Sequence, residues 1–589
     1  MKELIFVDFD GFKVLKESDK KNTILIDYPP STNDPKHTTK DIEKFNIEEF
    51  FPKKILKNSE EEAERIHNEF YKRISGKIIY KNIDLFSPIK NLLMLNFVLI
   101  IKYIKIFNYI IKDKKPKKVL IISKEYSNKK PYFSKDNGLI LRALLEVCSY
   151  NKIPTNIKTL KINKKRDYKK YKNVLYKILG KIQNRHFFFK VHKNDKTILF
   201  IGGKNAYLPI LNYLKCKIIR VRCGLTLANS FFNNDQDYYI TFGDKTNLKR
   251  FKLSKSIDVI NNPIRYKGYN ISKVIKLDLK YIISDYFNLM SKWIDLAYNI
   301  EPRISKAVMT NDTLPFEQIL IKILHKNKKP CYVIQHAYTT APEGQFPLVK
   351  NKILADKMFV WGKSSLNWMI RNGVKKNRLI LTGSIKFDSY KYINFDVKDR
   401  LNIPKNKKII VYIAEGSHKF QFPEYAILEK ERVSIYRNLY NTIKEMEDYY
   451  LIVKLHPSDI DPNTPKIIAD ECDIHNYSIV NGNFPIQSLL KISNLVISIY
   501  SSAILEAIYF KKPVLILDYF KKVDYIVPFL KFKMCLGLNN KNMLKEYIIK
   551  LEKDKDIFIK TNKKLIKNFI YKNDGNAYKR ISKEILKGL

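Results

Sequence analysis

From about residue 116 onward, short runs rich in Val, Ile and Tyr alternate with longer stretches whose apolar residues recur at helical spacing. That rhythm is the signature of βα units laid on a parallel sheet. Residues 117–123 (KKVLIIS), 196–202 (KTILFIG), 217–223 (KIIRVRC), 307–310 (AVMT), 331–335 (CYVIQ) and 357–362 (KMFVWG) predict one series of strands. Residues 408–415, 449–456, 477–480, 494–500 and 513–518 predict a second. The pattern therefore predicts an α/β protein with two sheets. Between Asp388 and Pro404 the sequence turns polar, loses helical periodicity and carries a helix-breaking proline, which marks a boundary there. Residues 1–75 hold an opening strand (LIFVDF), a loop rich in Pro, Asn and Thr, and the helix-like SEEEAERIHNEFYKRI, and read as part of the first unit.

Length and composition agree with this picture. The chain has 589 residues, 45% of them hydrophobic. It is too long for one hydrophobic core, and its apolar share excludes wholesale disorder. Lys and Arg number 109 against 59 Asp and Glu, a formal net charge of +50. Such a field attracts polyanions: nucleic acid, anionic lipid or a charged glycan. Yet Lys, Ile, Asn and Tyr are used heavily from end to end, so compositional bias also accounts for the excess. No basic tail or nucleic-acid-binding module stands out, and no nucleic-acid partner is expected. The densest basic stretch, residues 161–193, reads as a solvated helix and loop, with a membrane or glycan contact as the alternative. The six cysteines (Cys148, Cys216, Cys223, Cys331, Cys472 and Cys535) form no CxxC, which argues against a zinc module or a disulfide framework.

Glu3, Asp8 and Asp10 interrupt the apolar core a signal peptide would need. The apolar segment Asn91–Ile101 is broken by Lys102 and Lys105 before it reaches the ~20 residues that cross a bilayer. A cytoplasmic protein is expected, resting on the inner membrane face where anionic lipid would meet its charge.

In open α/β sheets ligands sit beyond the carboxyl ends of the strands, so residues directly after the strands are the candidates for chemistry. His456-Pro457 follows YYLIVKL; the proline fixes the turn, and the imidazole can donate to a phosphate or serve a plain turn. Ser501-Ser502 joins NLVISIY to the helix AILEAIYF, where hydroxyls and unpaired N–H groups would hold a pyrophosphate or simply cap the helix. Glu506 lies one residue too far for a capping box, which leaves its carboxylate for ribose hydroxyls or for the surface. Glu415-Gly416-Ser417-His418 follows KIIVYIA, and Gly416 permits close approach of backbone to phosphate. Gly202-Gly203 after KTILFI would do the same or make the turn. Asp235-Gln236-Asp237 has the Asp-x-Asp form of metal-dependent transferases, but so do Asp8-x-Asp10, Asp459-x-Asp461 and Asp554-x-Asp556. No essential metal is expected.

Residues 331–388 carry Gln335-His336, Asp356, Trp361-Gly362, Gly383 and Asp388. They resemble a segment shared by two-domain GT-B enzymes of surface-polysaccharide assembly: capsule and lipopolysaccharide glycosyltransferases, CDP-glycerol glycerophosphotransferases and, more remotely, UDP-N-acetylglucosamine 2-epimerases. The KLHP motif, residues 493–518 and residues 573–585 are similar to the nucleotide-binding half of those proteins. Two departures stand out: Ala337 replaces the glycine of Gln-His-Gly, and Phe9 interrupts the Asp8-Phe9-Asp10-Gly11 analogue of an acidic base motif.

The resemblance implies a GT-B fold, two Rossmann-like domains facing each other across a cleft, with residues 1–390 on the acceptor side and 391–589 binding the nucleotide donor. It implies that His456 contacts the donor phosphate, Ser501 and Ser502 the phosphates and Glu506 the ribose. A base on the other domain must deprotonate the acceptor hydroxyl. Asp10, Glu125, His336 and Glu343 are candidates, with Asp10 and His336 preferred. The expected function is transfer of a sugar from a nucleotide sugar to a surface glycan or lipid-linked acceptor, with no cofactor beyond the donor. The alternatives are a CDP-glycerol-type glycerophosphotransferase, a UDP-sugar 2-epimerase, a basic membrane- or nucleic-acid-binding protein without catalysis, and a relic inactivated at Ala337.

Overall fold

The computed structural model describes residues 3–7, 23–27, 43–50, 58–123, 138–159, 197–202, 209–210, 213–214, 217–222, 237–241, 262–336, 353–388, 390, 397–415, 429–456, 463–481, 484–499, 501–520 and 528–588. The chain opens with β1 (Glu3–Val7), β2 (Thr23–Asp27) and β3 (Glu43–Asn46), then forms the small ladder β4 (Ile79–Tyr80) and β5 (Ile83–Asp84). Strands β6 (Lys118–Ser123) and β7 (Thr155–Thr159) complete a parallel sheet of order β3-β2-β1-β6-β7.

A second parallel sheet takes β8 (Thr197–Ile201), β9 (Lys217–Arg222) and β10 (Asp237–Thr241). After the hairpin β11 (Arg265–Tyr266) and β12 (Tyr269–Asn270), it adds β13 (Lys306–Met309), β14 (Cys331–Ile334), β15 (Lys357–Val360) and β16 (Leu379–Leu381), in the order β10-β9-β8-β13-β14-β15-β16. The third sheet comprises β17 (Lys408–Ile413), β18 (Tyr449–Lys454), β19 (Tyr477–Val480), β20 (Leu495–Ser498), β21 (Val514–Leu517) and β22 (Leu536–Leu538), in the order β19-β18-β17-β20-β21-β22.

All three sheets reverse direction after their third strand, the doubly wound Rossmann order. The second and third form the GT-B pair of α/β sheets, and every strand predicted in the two series is present. Among the described residues the expectation of two sheets is corrected to three parallel sheets beside the two short ladders: β6, predicted in the first series, joins β7 and the strands before residue 116 in a sheet centred on β1 rather than the second sheet. On one side of β1 lie β2 and β3, five- and four-residue strands without a long apolar run, which is why the hydrophobic pattern missed them.

Strands of the second and third sheets read as near-continuous apolar runs because helices cover both faces. All residues of β8, β18 and β21 are buried. One apolar core runs continuously from Leu4 to Leu379 through the first two sheets. A second encloses the third sheet from Trp361 to Ile570. A third, smaller cluster joins them: Ile581 and Ile585 of the C-terminal helix Ala577–Leu586 pack on Ile198, Phe200, Ile334 and Phe359 of the second sheet. The chain thus crosses back after its last domain and closes on the preceding one.

The Lys90–Lys114 helix contains the apolar segment noted above and is long and apolar enough to cross a membrane. Here it is a core helix, packed between the Ser59–Ile74 and Gly138–Tyr150 helices. Lys102 does not interrupt it: fully buried, its ammonium meets Glu60 at 3.2 Å.

Candidate functional site

The nucleotide-side candidates converge at the switch point of the third sheet. Ile413 pairs with Lys454 on one side and Ser498 on the other. Glu415 and His456 therefore stand two residues beyond that row, and Ser501 and Ser502 follow the neighbouring strand. Parallel pairing is what gathers residues from three distant loops at one edge, where the strand order reverses and a crevice forms.

Glu415 is buried, and the Ser498 hydroxyl lies 3.4 Å from its Oε1 while also reaching the Ile413 carbonyl at 3.2 Å. Lys454 is buried too; its ammonium donates to the Leu455 carbonyl at 2.9 Å, and burial pulls its pKa down to about 8. His456 is half-buried. The Ser501 hydroxyl accepts from the Ala503 N–H at 3.2 Å, whereas Ser502, at the N-cap of the Ala503–Tyr509 helix, makes no side-chain cap. The simple capping reading therefore fails for Ser502. Pro457, Gly416, Ser417 and His418 lie outside the described residues.

For Glu506 the surface alternative is overturned: it is 3% exposed, Lys386 pairs with one oxygen and the Tyr390 hydroxyl donates to the other. Gln487 approaches both Tyr390 and Glu506 at 3.4 Å. Lys386 and Tyr390 belong to the segment joining the second and third sheets, so the carboxylate anchors that connection. Burial, with the Glu506 charge beside it, pushes the Tyr390 phenol well above its ordinary range, so it stays a donor. No local signal marks these partners, which lie more than a hundred residues away.

On the second sheet, His336 follows β14 and is exposed, with Nδ1 2.9 Å from the Thr310 carbonyl. A carbonyl only accepts, so Nδ1 carries the proton and the neutral ring keeps its lone pair on Nε2. This is the arrangement of an oriented base. Asp10, Glu125, Ala337 and Glu343 lie outside the described residues, as do Gly203, Asp235, Gln236 and all of 161–193.

The other residues that carried the family resemblance hold the architecture. Gln335 accepts from the Trp361 N–H at 2.8 Å, takes the indole N–H on its own carbonyl at 2.7 Å and donates to Ser365 at 3.0 Å. A Cβ on Gly362 would lie 2.3 Å from the Phe569 carbonyl oxygen, and one on Gly383, whose φ is +87°, 2.6 Å from that of Tyr571. Both glycines let the C-terminal crossing lie against the second sheet. Asp388 accepts from the Tyr578 N–H at 3.0 Å at the start of the last helix. Asp356 accepts from the Cys331 N–H at 2.7 Å and lies 3.1 Å from His325 Nε2. His325, Cys331 and Asp356 bring ligand-type atoms within 4.8 Å of one another. That group stands at the start of β14, whereas His336 stands beyond its end.

Residues 362–587 match the profile of the family described as CDP-Glycerol:Poly(glycerophosphate) glycerophosphotransferase. The teichoic acid glycerol-phosphate primase of Bacillus spizizenii is 32% identical over 124 residues, 21% of this chain and 29% of the relative, so less than a third of that curated protein is spanned. Among solved structures, the wall teichoic acid polymerase TagF, in a variant soaked with CDPG, is 14% identical with a TM-score of 0.42, covering 76% of this chain and 97% of that one. The UDP-GlcNAc 2-epimerase of Neisseria meningitidis bound to UDP-GlcNAc is 15% identical with a TM-score of 0.40, covering 67% and 100%. Neither structure adds to what the strand orders establish. Over its C-terminal region the chain is similar to the CDP-glycerol glycerophosphotransferases of surface-polymer assembly, the resemblance its motifs carry.

Proposed function

We propose that the chain is a transferase that moves a glycerol phosphate group from a CDP-glycerol-type donor to a hydroxyl of a surface-polymer acceptor. The observation that carries this reading is the family match over residues 362–587, a stretch containing His456, Ser501 and Ser502. The sugar transfer expected from the sequence gives way to its alternative. The acceptor oxygen attacks the glycerol-bearing phosphorus of the donor, the bond from that phosphorus to the bridging oxygen breaks, and CMP leaves. Charge builds on the departing phosphate, where a histidine and two hydroxyls stabilise it. His336 Nε2 takes the acceptor proton, since its other nitrogen is committed to Thr310. Glu506 acts through Lys386 and Tyr390 as a positioning residue rather than as a ribose ligand. Work at the cytoplasmic face of a membrane, with a peripheral contact to anionic lipid, suits the +50 charge.

The test is CMP release by the full chain supplied with CDP-glycerol and a glycerol-phosphate acceptor. Release should require the acceptor, and UDP and GDP sugars should not be turned over. His456→Ala and the double change Ser501→Ala/Ser502→Ala should each slow it on the order of 10²-fold or more. His336→Ala should cost on the order of 10²–10⁴-fold. Turnover of a UDP sugar without acceptor would instead make the protein an epimerase.

A further inference from the structure

A cavity of about 480 Å³ lies outside the site described above, between the Ser59–Ile74 and Lys90–Lys114 helices and the β11–β12 hairpin. On the long helix, Lys105, Asn108, Tyr109 and Lys112 fall at i, i+3, i+4 and i+7, one stripe facing the cavity. The hairpin supplies the opposite wall through Tyr266, Lys267 and Tyr269. Lys267 and Gly268 form its turn with φ of 47° and 91°. A Cβ on Gly268 would sit 2.5 Å from the Tyr150 ring, so the tip is clamped, and Tyr150 packs on Tyr269 at 4.5 Å between ring centres.

The cavity is built around one carboxylate and three lysines. Glu62 accepts from the Tyr266 hydroxyl at 2.9 Å and pairs with Lys105 and with Lys267, the latter at 3.1 Å. Burial opposes its ionisation, but these donors outweigh it and hold the carboxyl below its ordinary range. The carboxylate thus stays charged and cannot neutralise all three ammonium groups. Lys112 has no carboxylate partner among the described residues. Tyr269 gives its hydroxyl to Asn108 at 2.8 Å, and Tyr109 is 43% exposed, so ring faces and amides line the space between the cations.

Net positive charge beside phenol rings and amides is the chemistry that holds alternating phosphates and hydroxylated carbons. The volume falls within the roughly 300–1,000 Å³ of small-molecule sites, well beyond the needs of a single phosphate. We propose that this pocket binds a phosphodiester-linked polyol chain, a stretch of the anionic acceptor held away from its reacting end. The assignment of that chain as acceptor rests on the proposed transferase reading; the binding itself does not.

The test is titration of the full chain with a synthetic glycerol-phosphate oligomer, followed by calorimetry, alongside neutral glycerol oligomers and phosphatidylglycerol vesicles. The phosphate oligomer should bind with an affinity that falls as salt rises, and Lys112→Glu and Tyr109→Ala should each weaken it tenfold or more. Both side chains reach solvent, and unchanged melting temperatures would verify folding. CMP release with monomeric glycerol phosphate as acceptor should be unaffected in both variants, which separates this site from the reaction site. Equal affinity in wild type and variants, equal binding of the neutral oligomer, or an effect confined to vesicles would overturn the proposal. Loss of all CMP release with oligomer binding intact would overturn the transferase reading and leave the pocket standing.

Discussion

Glu317, in the first turn of the Pro315–Lys326 helix, is 4% exposed, and burial followed by the nearby Asp312 charge lifts its pKa from 4.5 to about 7. The folded protein therefore holds this proton over a range in which the unfolded chain has lost it. The stability Glu317 contributes is complete below pH 4.5 and declines as pH rises through about 7. Glu317→Gln should then stabilise the protein at pH 8 by up to about 3 kcal/mol and by almost nothing at pH 4, read from urea unfolding at the two values. An equal gain at both would place the effect elsewhere. Glu506 and His336 show what a residue type conveys and what it omits. A glutamate four positions past a serine at a strand end looks like a surface or ribose-facing carboxylate; only the tertiary structure shows it buried with Lys386 and Tyr390 on its oxygens. A histidine after a strand looks like one candidate base among several; the Thr310 carbonyl is what fixes its tautomer.

Secondary structure was most legible where elements are buried on both sides, because a strand covered by helices on each face must be apolar along its whole length. The central strands β8 and β13 of the second sheet and β17, β18, β20 and β21 of the third meet that condition. The edge strand β16 and the short β2, β3 and β22 do not, and their pairing comes from neighbours rather than from their own pattern. The Lys90–Lys114 helix shows the opposite failure: its lysines suggest an interruption, yet Lys102 is buried against Glu60. Removing one partner should leave an uncompensated charge in the core. Glu60→Ala is expected to destabilise by about 3–5 kcal/mol, whereas Glu60→Leu combined with Lys102→Met should fall close to wild type. Thermal or chemical unfolding of the two variants checks this; similar losses in both would mean that packing rather than charge sets the cost.

At the scale of the molecule, the C-terminal helix is the tie between the last two sheets. Ile581 and Ile585 are fully buried against the second sheet, Lys306 donates to the Ile585 carbonyl at 2.7 Å, and Arg580 donates to the Thr382 carbonyl at 2.7 Å. Ile581→Ala or Ile585→Ala should cost about 2–5 kcal/mol each. The double variant should split a single calorimetric transition in two as the third sheet melts apart from the other two; one unsplit transition would refute the coupling. The sequence by itself determined the α/β class, the strand series and the loops that carry His456, Ser501, Ser502 and Glu415, since apolar periodicity and strand ends are local properties of the chain. It also carried the motif that links residues 331–388 to GT-B transferases. Tertiary structure alone decided the third sheet, the anchoring of Glu506, the structural work of Gln335, Gly362, Gly383 and Asp388, and the cationic pocket on the first domain. Each depends on side chains tens to hundreds of residues apart, and their proximity is set by how sheets and helices pack, which no local pattern encodes.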